Sequence, residues 1–313
     1  MGEVFHAIRV FFEQLASVEF SALGLAVLAH LVKTMCTSRA WRNTIVASYP
    51  QQEVRWRSIY AAYLSGVGVN AIVPARAGDA VRLFLAHRAV PGATYTTLAS
   101  TLLVLSVFDS AMALLIFAYA LTLGVLPGAG ALGGLPGFDF GFFAANAEFS
   151  FVLLVVLTIF GVIGFFWLRL HVAEFKQRLR QGLAVMSDRT RYLREVALWQ
   201  AGDWTLRFVA IWFFLDAFGI EQTIRNVLLV QVTQSLATLV PISPGGIGTE
   251  QAFIVYVFAG SGVGRATLLA FSVGMKLTLI VTNIVIGFTA LFLTLGHTDW
   301  RSLTGRATPS TRE

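Results

Sequence analysis

The stretch GVGVNAIVPARAGDAVRLF (residues 66–84) decides how this chain is read, together with QSLATLVPISPGGIGTEQAFIVYVF (residues 234–258). Each joins two apolar runs, both too short to cross a bilayer alone, through a break of proline, glycine and charge. The two stretches lie in opposite halves of the chain. In hydrocarbon every backbone N–H and C=O needs a partner, so non-helical backbone is tolerated only against protein or a watery cavity. Interrupted hydrophobic segments at matching positions in two halves are therefore the sequence pointer to a transporter's substrate site.

That reading needs a membrane, and composition supplies it. Of 313 residues 56% are hydrophobic and only 13% charged, about half the charged share of a soluble domain. Residues 99–124, 149–168 and 266–295 each exceed the roughly 18 apolar residues that mark a spanning helix. Nothing alternates in the way a transmembrane β-barrel requires. Net charge is +6, with arginine and lysine concentrated at 39–57, 76–88, 169–194 and 301–312, whereas the Gly/Pro-rich 124–148 holds none. Basic loops stay in the cytoplasm, so 124–148 is predicted to face outward. Charges spread over loops at helix ends suit anionic lipid headgroups better than nucleic acid. The lone Cys36 excludes an intramolecular disulfide and reads as packing. No signal-peptide cleavage site is evident in residues 1–18, which read as an amphipathic interfacial helix.

The fold class predicted is an all-α polytopic membrane protein with inverted-topology repeats and two re-entrant, broken helix pairs. A single transmembrane domain fills 1–313: the interfacial helix 1–18, a first repeat 20–123, a connecting span 148–168, a second repeat 197–295 and a cytoplasmic tail 296–313. The first repeat runs as a span over 20–38, a basic loop over 39–57, a broken pair over 58–90 entered from inside, and a span outward over 94–123. The second runs outward over 197–218, through a broken pair over 225–261 entered from outside, and inward over 265–295. The helix at 148–168 inverts the second half relative to the first, as inverted repeats require.

A half-helix that begins after such a break points unpaired N–H groups and its positive dipole end at whatever fills the cavity, and an anion such as a phosphate headgroup is the natural occupant. Around the first break stand Asn70, Arg76, Asp79 and Arg82. The guanidinium forks of Arg76 and Arg82 match phosphate geometry. Asp79 and Arg82 are also three apart on a helix, so a plain surface ion pair is the competing reading. Around the second break, Gly245 and Gly246 open the backbone, Ser243 can cap the following turn, and Glu250 falls in the first turn of the new helix. Glu250 is either a dipole-favoured capping residue or the carboxylate of a proton relay. Gln231, Gln234 and Thr238 share a face leading into the break, as a polar lining or as interhelical hydrogen-bonding groups.

Lys276 lies some ten residues inside the last span, too deep to snorkel, and is predicted to pair with a carboxylate or a lipid phosphate. Asn283 is two turns further on the same face. Asp109, Asp203, Arg207 and Asp216 read as members of buried pairs, Asp203 and Arg207 at i,i+4 spacing. His30 and Lys33 share one side of the first span and join Asp109, Gln231, Gln234 and Asn283 as secondary candidates. No catalytic residue, metal site or cofactor is expected, and no nucleotide-binding motif occurs.

These residues carry a family resemblance. Asn70, Pro74, Arg76, Gly78, Asp79 and Arg82, followed by Asp109, resemble the first signature of the lysylphosphatidylglycerol-synthase transmembrane (flippase-like) family. PISPGGIGTE at 241–250 is similar to its second signature, and Arg39-Ala40-Trp41 to its early Arg-Trp element. The resemblance covers about 20–295. It implies lipid translocation or lipid-linked envelope biosynthesis in the plasma membrane of a prokaryote. Members include the flippase half of aminoacyl-phospholipid synthases and proteins associated with archaeal glycan-lipid and hopanoid pathways. Carried onto this sequence, the implied polar site comprises Asn70, Arg76, Asp79, Arg82 and Glu250. Three features depart from the family's pattern. Leu105 and Ser106 stand where an acidic-basic pair is common, Lys276 replaces an arginine, and an N-terminal helix is missing or reduced to residues 1–18.

The expected function is a flippase or lipid transporter that moves a phospholipid or lipid-linked intermediate, its anionic headgroup bound between the two breaks. The expected partners are that lipid and a lipid-synthesising enzyme. The alternatives are a lipid-modifying aminoacyl- or glycosyltransferase, or a non-transporting scaffold for one. An aminoacyl-phospholipid synthase needs a soluble catalytic domain, and a membrane glycosyltransferase usually shows paired acids on an external loop. Here only Asp139 and Glu148 come near such a pair.

Overall fold

A computed structural model describes residues 18–73, 76–122, 176–239, 248–258 and 262–296. The interfacial helix predicted for 1–18 (all but its last residue), the outer loop, the connecting span 148–168 and the tail lie outside the described residues. So do Pro74 and the 241–247 segment with Ser243, Gly245 and Gly246.

Among the described residues the chain is helical and no strand occurs. The helices are α1 (Phe20–Ser48), α2 (Trp56–Ile72), α3 (Ala77–Ala89), α4 (Tyr95–Thr122), the short α5 (Arg189–Tyr192), α6 (Leu198–Ala217), α7 (Ile224–Leu239), α8 (Thr249–Val257) and α9 (Arg265–Gly296). Three are long and apolar enough to cross a membrane: Phe20–Ser48, Tyr95–Ile116 and Arg265–Leu295. Their exposed faces are apolar, for example Leu25, Leu28 and Val32 on α1 and Leu277, Val281, Val285 and Phe292 on α9. Water would not tolerate such stripes, and lipid does. The chain is thus an all-α, multi-pass membrane protein.

The first span differs from its expected limits. The helix does not stop at residue 38 but continues to Ser48, taking in Arg39 and Arg42 from the basic stretch read as a loop. Packing outweighs charge here. Trp41 and Ile45 are fully buried, and the Trp41 indole N–H donates to Thr101 Oγ1 on α4 at 2.9 Å.

The two larger apolar cores sit toward opposite ends of α1, and a small third one joins Ile116, Trp204 and Val232. One gathers Ala22 and Ala26 with the end of α6, α7, α8 and the start of α9. The other gathers Trp41 and Ile45 with α2, α3 and α4. Each of these two larger cores is organised around one of the two helix pairs that flank a break. Helix α1 lies antiparallel to α6, with the Glu19 N–H donating to Ala217 O at one end and Asn43 Nδ2 donating to Glu195 O at the other. Glu195 belongs to a π-helical turn, Leu193–Ala197, that joins α5 to α6. Asn43 thereby satisfies a carbonyl at that turn.

Glycine sets the closest approaches. A Cβ on Gly78 would stand 1.9 Å from Gly66 O, and one on Gly287 would stand 2.4 Å from Gly68 Cα. Bare backbone on α2 therefore meets bare backbone on α3 and on α9, as small residues allow in membrane bundles. This clamps the first broken pair between its own return helix and the last span.

Candidate functional site

The first break is a compact tip. α2 ends at Ile72, Val73 is extended, and Arg76 takes the left-handed conformation (φ 58°) before α3 begins. Left-handed backbone is unusual for a non-glycine residue, and local bonds hold it. Asn70 on α2 accepts the Gly78 N–H through Oδ1 at 2.7 Å and donates to Asp79 Oδ1 at 3.0 Å. One side chain thus ties the start of α3 to the end of α2. Asp79 is shared by both arginines, with Arg82 at 3.3 Å and Arg76 at 3.5 Å. The predicted Asp79–Arg82 pair forms, but one carboxylate cannot neutralise two guanidiniums. Arg82 is mostly enclosed, its side chain only 18% exposed, and its guanidinium lies 5.8 Å from the Trp41 ring centroid. Its Nε is buried with no acceptor. Arg76 reaches outward with 84% of its side chain exposed. The tip carries an excess positive charge and an unspent donor.

At the second break the described residues resume at Gly248, whose φ of 90° requires glycine. Its N–H donates to Gln251 Oε1 at 2.6 Å, so Gln251 caps this helix end. Glu250 is buried and accepts from Lys276 Nζ at 2.9 Å. Of the two partner classes expected for Lys276, a carboxylate is the one found. Gln234 Nε2 points at Met275 Sδ at 3.9 Å. Gln231 is buried, with a long 3.5 Å contact to Ser235 and its Oε1 unpartnered.

Between the two cores runs a belt of polar side chains. Asp203 accepts from Thr37 and pairs with Arg207 at 3.4 Å, the i,i+4 pair expected from spacing. Arg207 also lies 4.5 Å from the Trp204 ring centroid. Asp109 accepts from Trp204 Nε1 at 3.0 Å and from Gln200 Nε2 at 3.4 Å. Lys33 lies within electrostatic reach of Asp203, Asp109 and Arg207. His30 bonds Asn283 at 2.8 Å, and Thr34 bonds Tyr60 at 3.2 Å. Its two carboxylates, of which Asp203 is buried, face one lysine and one arginine, with His30 beside them, so opposite charges meet within the belt. Asp216, expected in a buried pair, has no side-chain partner among the described residues. It lies one residue before the end of α6, where its carbonyl accepts the Gly219 N–H.

The structure thus brings Asn70, Arg76, Asp79 and Arg82 together, and separately Glu250 with Lys276 and His30 with Asn283. No hydrogen bond or ion pair joins the first two groups among the described residues. Gln200, Trp204, Thr37 and Gln251 were not singled out from sequence. Gln200 and Trp204 each stand three residues ahead of a charged residue, Asp203 and Arg207, which is the one sequence signal that groups them on this helix. Leu105, which stands where the resemblance leads one to expect part of an acidic-basic pair, is buried, and its carbonyl accepts from Gln200 Nε2 at 3.3 Å.

The sequence matches the lysylphosphatidylglycerol synthase TM region over residues 5–303. The chain belongs to that family. No curated protein and no solved structure matches it. Membership of the lysylphosphatidylglycerol synthase transmembrane family agrees with the apolar helices and makes the chain a membrane protein of this flippase-like group. The family match spans both breaks, the polar belt and all the helices described.

Proposed function

We propose that this protein is a lipid flippase or transporter in the plasma membrane of a prokaryote, acting on a phospholipid or lipid-linked intermediate with an anionic headgroup. The observation that carries this is the Arg82 guanidinium: enclosed, with an unpartnered Nε, beside a carboxylate already shared with Arg76. A phosphate would supply the missing acceptor and cancel the excess charge. Asn70 and Asp79 orient the arginines, while Glu250 and Lys276 form the opposing wall. Asp109, Gln231, Gln234, Asn283 and Lys33 make the polar path between them. The lipid tails stay in the bilayer.

The two halves act as inverted repeats that rock about this site. The antiparallel packing of α1 on α6 supports this, as do the reciprocal pairings of α2 with α9 and of α7 with α4. So does the arrangement of the two larger apolar clusters, one around each broken pair. A lipid-synthesising enzyme is the natural supplier of the cargo.

The test is movement of fluorescent phosphatidylglycerol between leaflets of proteoliposomes. Arg76→Ala and Arg82→Gln should each slow it about tenfold or more, since each removes a charge-assisted contact. The double variant Glu250→Gln/Lys276→Met, which leaves no unpaired charge, should do the same. Wild-type rates in all three would overturn the assignment.

A further inference from the structure

A second feature lies at the other end of the first broken pair. A cavity of about 580 Å³ opens where the start of α2, the end of α3 and the end of α9 meet. Arg57 on α2 and Arg88 on α3 stand in its wall, and Ala61, Leu64, Leu85 and Leu293 give it an apolar trough. From Arg57 to Ile72 the helix rises about 22 Å, so the arginine rim lies far from Arg76 at the tip, while Arg82, one turn before Leu85 on α3, stands between the two.

Both arginines are exposed, and neither forms an ion pair among the described residues. Arg88 only stacks near Phe84, at 5.8 Å, and Arg57 has no polar partner there. Two guanidiniums without carboxylates, beside the positively polarised first turn of α2, form an anion-seeking rim. The adjoining trough is lined by leucine and alanine, and the helices around it belong to a membrane protein. A ligand that satisfies both parts is amphipathic, with a negative head and a hydrocarbon tail. The basic stretches to which Arg57 and Arg88 belong place this rim at the cytoplasmic surface. The chain that follows α9 is a poor occupant, because residues 297–313 carry three arginines against two acids.

We propose that this cavity docks an anionic phospholipid of the cytoplasmic leaflet, its phosphate held by Arg57 and Arg88 and an acyl chain lying between α2, α3 and α9. The site does not depend on the translocation reading, because docking requires no movement of lipid between leaflets.

The experiment uses the full chain in nanodiscs containing phosphatidylglycerol or phosphatidylcholine with a photoactivatable diazirine on one acyl chain. Adducts are mapped by peptide mass spectrometry. Phosphatidylglycerol should label the 57–64, 85–89 and 290–295 segments about tenfold more than phosphatidylcholine. Arg57→Gln/Arg88→Gln should erase that preference, and Arg57→Lys/Arg88→Lys should keep part of it. Ala61→Phe, which fills the trough and spares the rim, should lower labelling by both lipids. Equal labelling by the two lipids, or a preference that survives the double glutamine variant, overturns the proposal. So does a several-fold rise in labelling when 297–313 are removed, which would make the tail the occupant. Labelling is read without transport, so its failure is separate from failure of the flippase assay.

Discussion

Substituting Gly287 by alanine should be among the most damaging single-methyl changes in this protein. The new Cβ would stand 2.4 Å from Gly68 Cα, 2.6 Å from Gly68 N and 2.7 Å from Leu64 O. Non-bonded carbons are comfortable at about 3.5–4.0 Å, so α2 and α9 must part by about 1 Å. All three obstructing atoms are backbone, and no rotamer change relieves them. Overpacking a close-packed interior costs about 1–3 kcal/mol, and a rigid backbone obstruction belongs at the top of that range. An internal control comes from Gly24 on α1, where an added Cβ meets nothing within 4 Å. There alanine should stabilise the helix by up to about 1 kcal/mol.

Thermal unfolding in one detergent, followed by fluorescence-detected size exclusion, should show Gly287→Ala losing several degrees and Gly24→Ala losing none. Gly68→Ala should resemble Gly287→Ala. The double variant should lose less than the sum, because helices already parted by one methyl accommodate the second. If Gly287→Ala is as stable as Gly24→Ala, the backbone-to-backbone crossing of α2 and α9 is wrong.

Two further outcomes follow from contacts at the second break. Glu250→Gln and Lys276→Met should each lower stability by about 3 kcal/mol by stranding a partly buried charge. The double variant should recover most of that, as a thermal double-mutant cycle will read. Gln251→Ala removes the acceptor of the Gly248 N–H and should cost about 1 kcal/mol, read as faster amide exchange at the start of α8.

The sequence made the helices legible where apolar runs were long or breaks were sharp. The limits of α6 and α9, the start of α2 and the end of α3 fall within about three residues of those read from hydropathy and proline. It was silent where burial depends on a partner from elsewhere in the chain. The arginines at 39 and 42 signal a loop by charge, yet Trp41 finds its acceptor on Thr101 and the helix continues. Local spacing exposed the Asp79–Arg82 and Asp203–Arg207 pairs because both partners sit on one helix. The Glu250–Lys276, His30–Asn283 and Asp109–Trp204 contacts join residues far apart in sequence, and no periodicity encodes which of them will meet. Hydropathy also treats all glycines alike. Only packing separates Gly24, facing open space, from Gly68 and Gly287, whose missing side chains let helices touch.

The turn at Leu193–Ala197 has a further consequence. A π-helical turn holds one residue more than the α-helical turn it replaces, so its ends are offset by one position relative to a continuous α-helix. Deleting a single residue there could restore an unbroken helix while leaving α6 seated against α1. The helix upstream would swing by about 100°, carrying Arg189 and Arg191 around the axis. In a comparison of related chains, this is the place where a one-residue gap would be a change of basic-surface orientation rather than a loss of fold. A shift there also puts residues before the turn out of step with those after it.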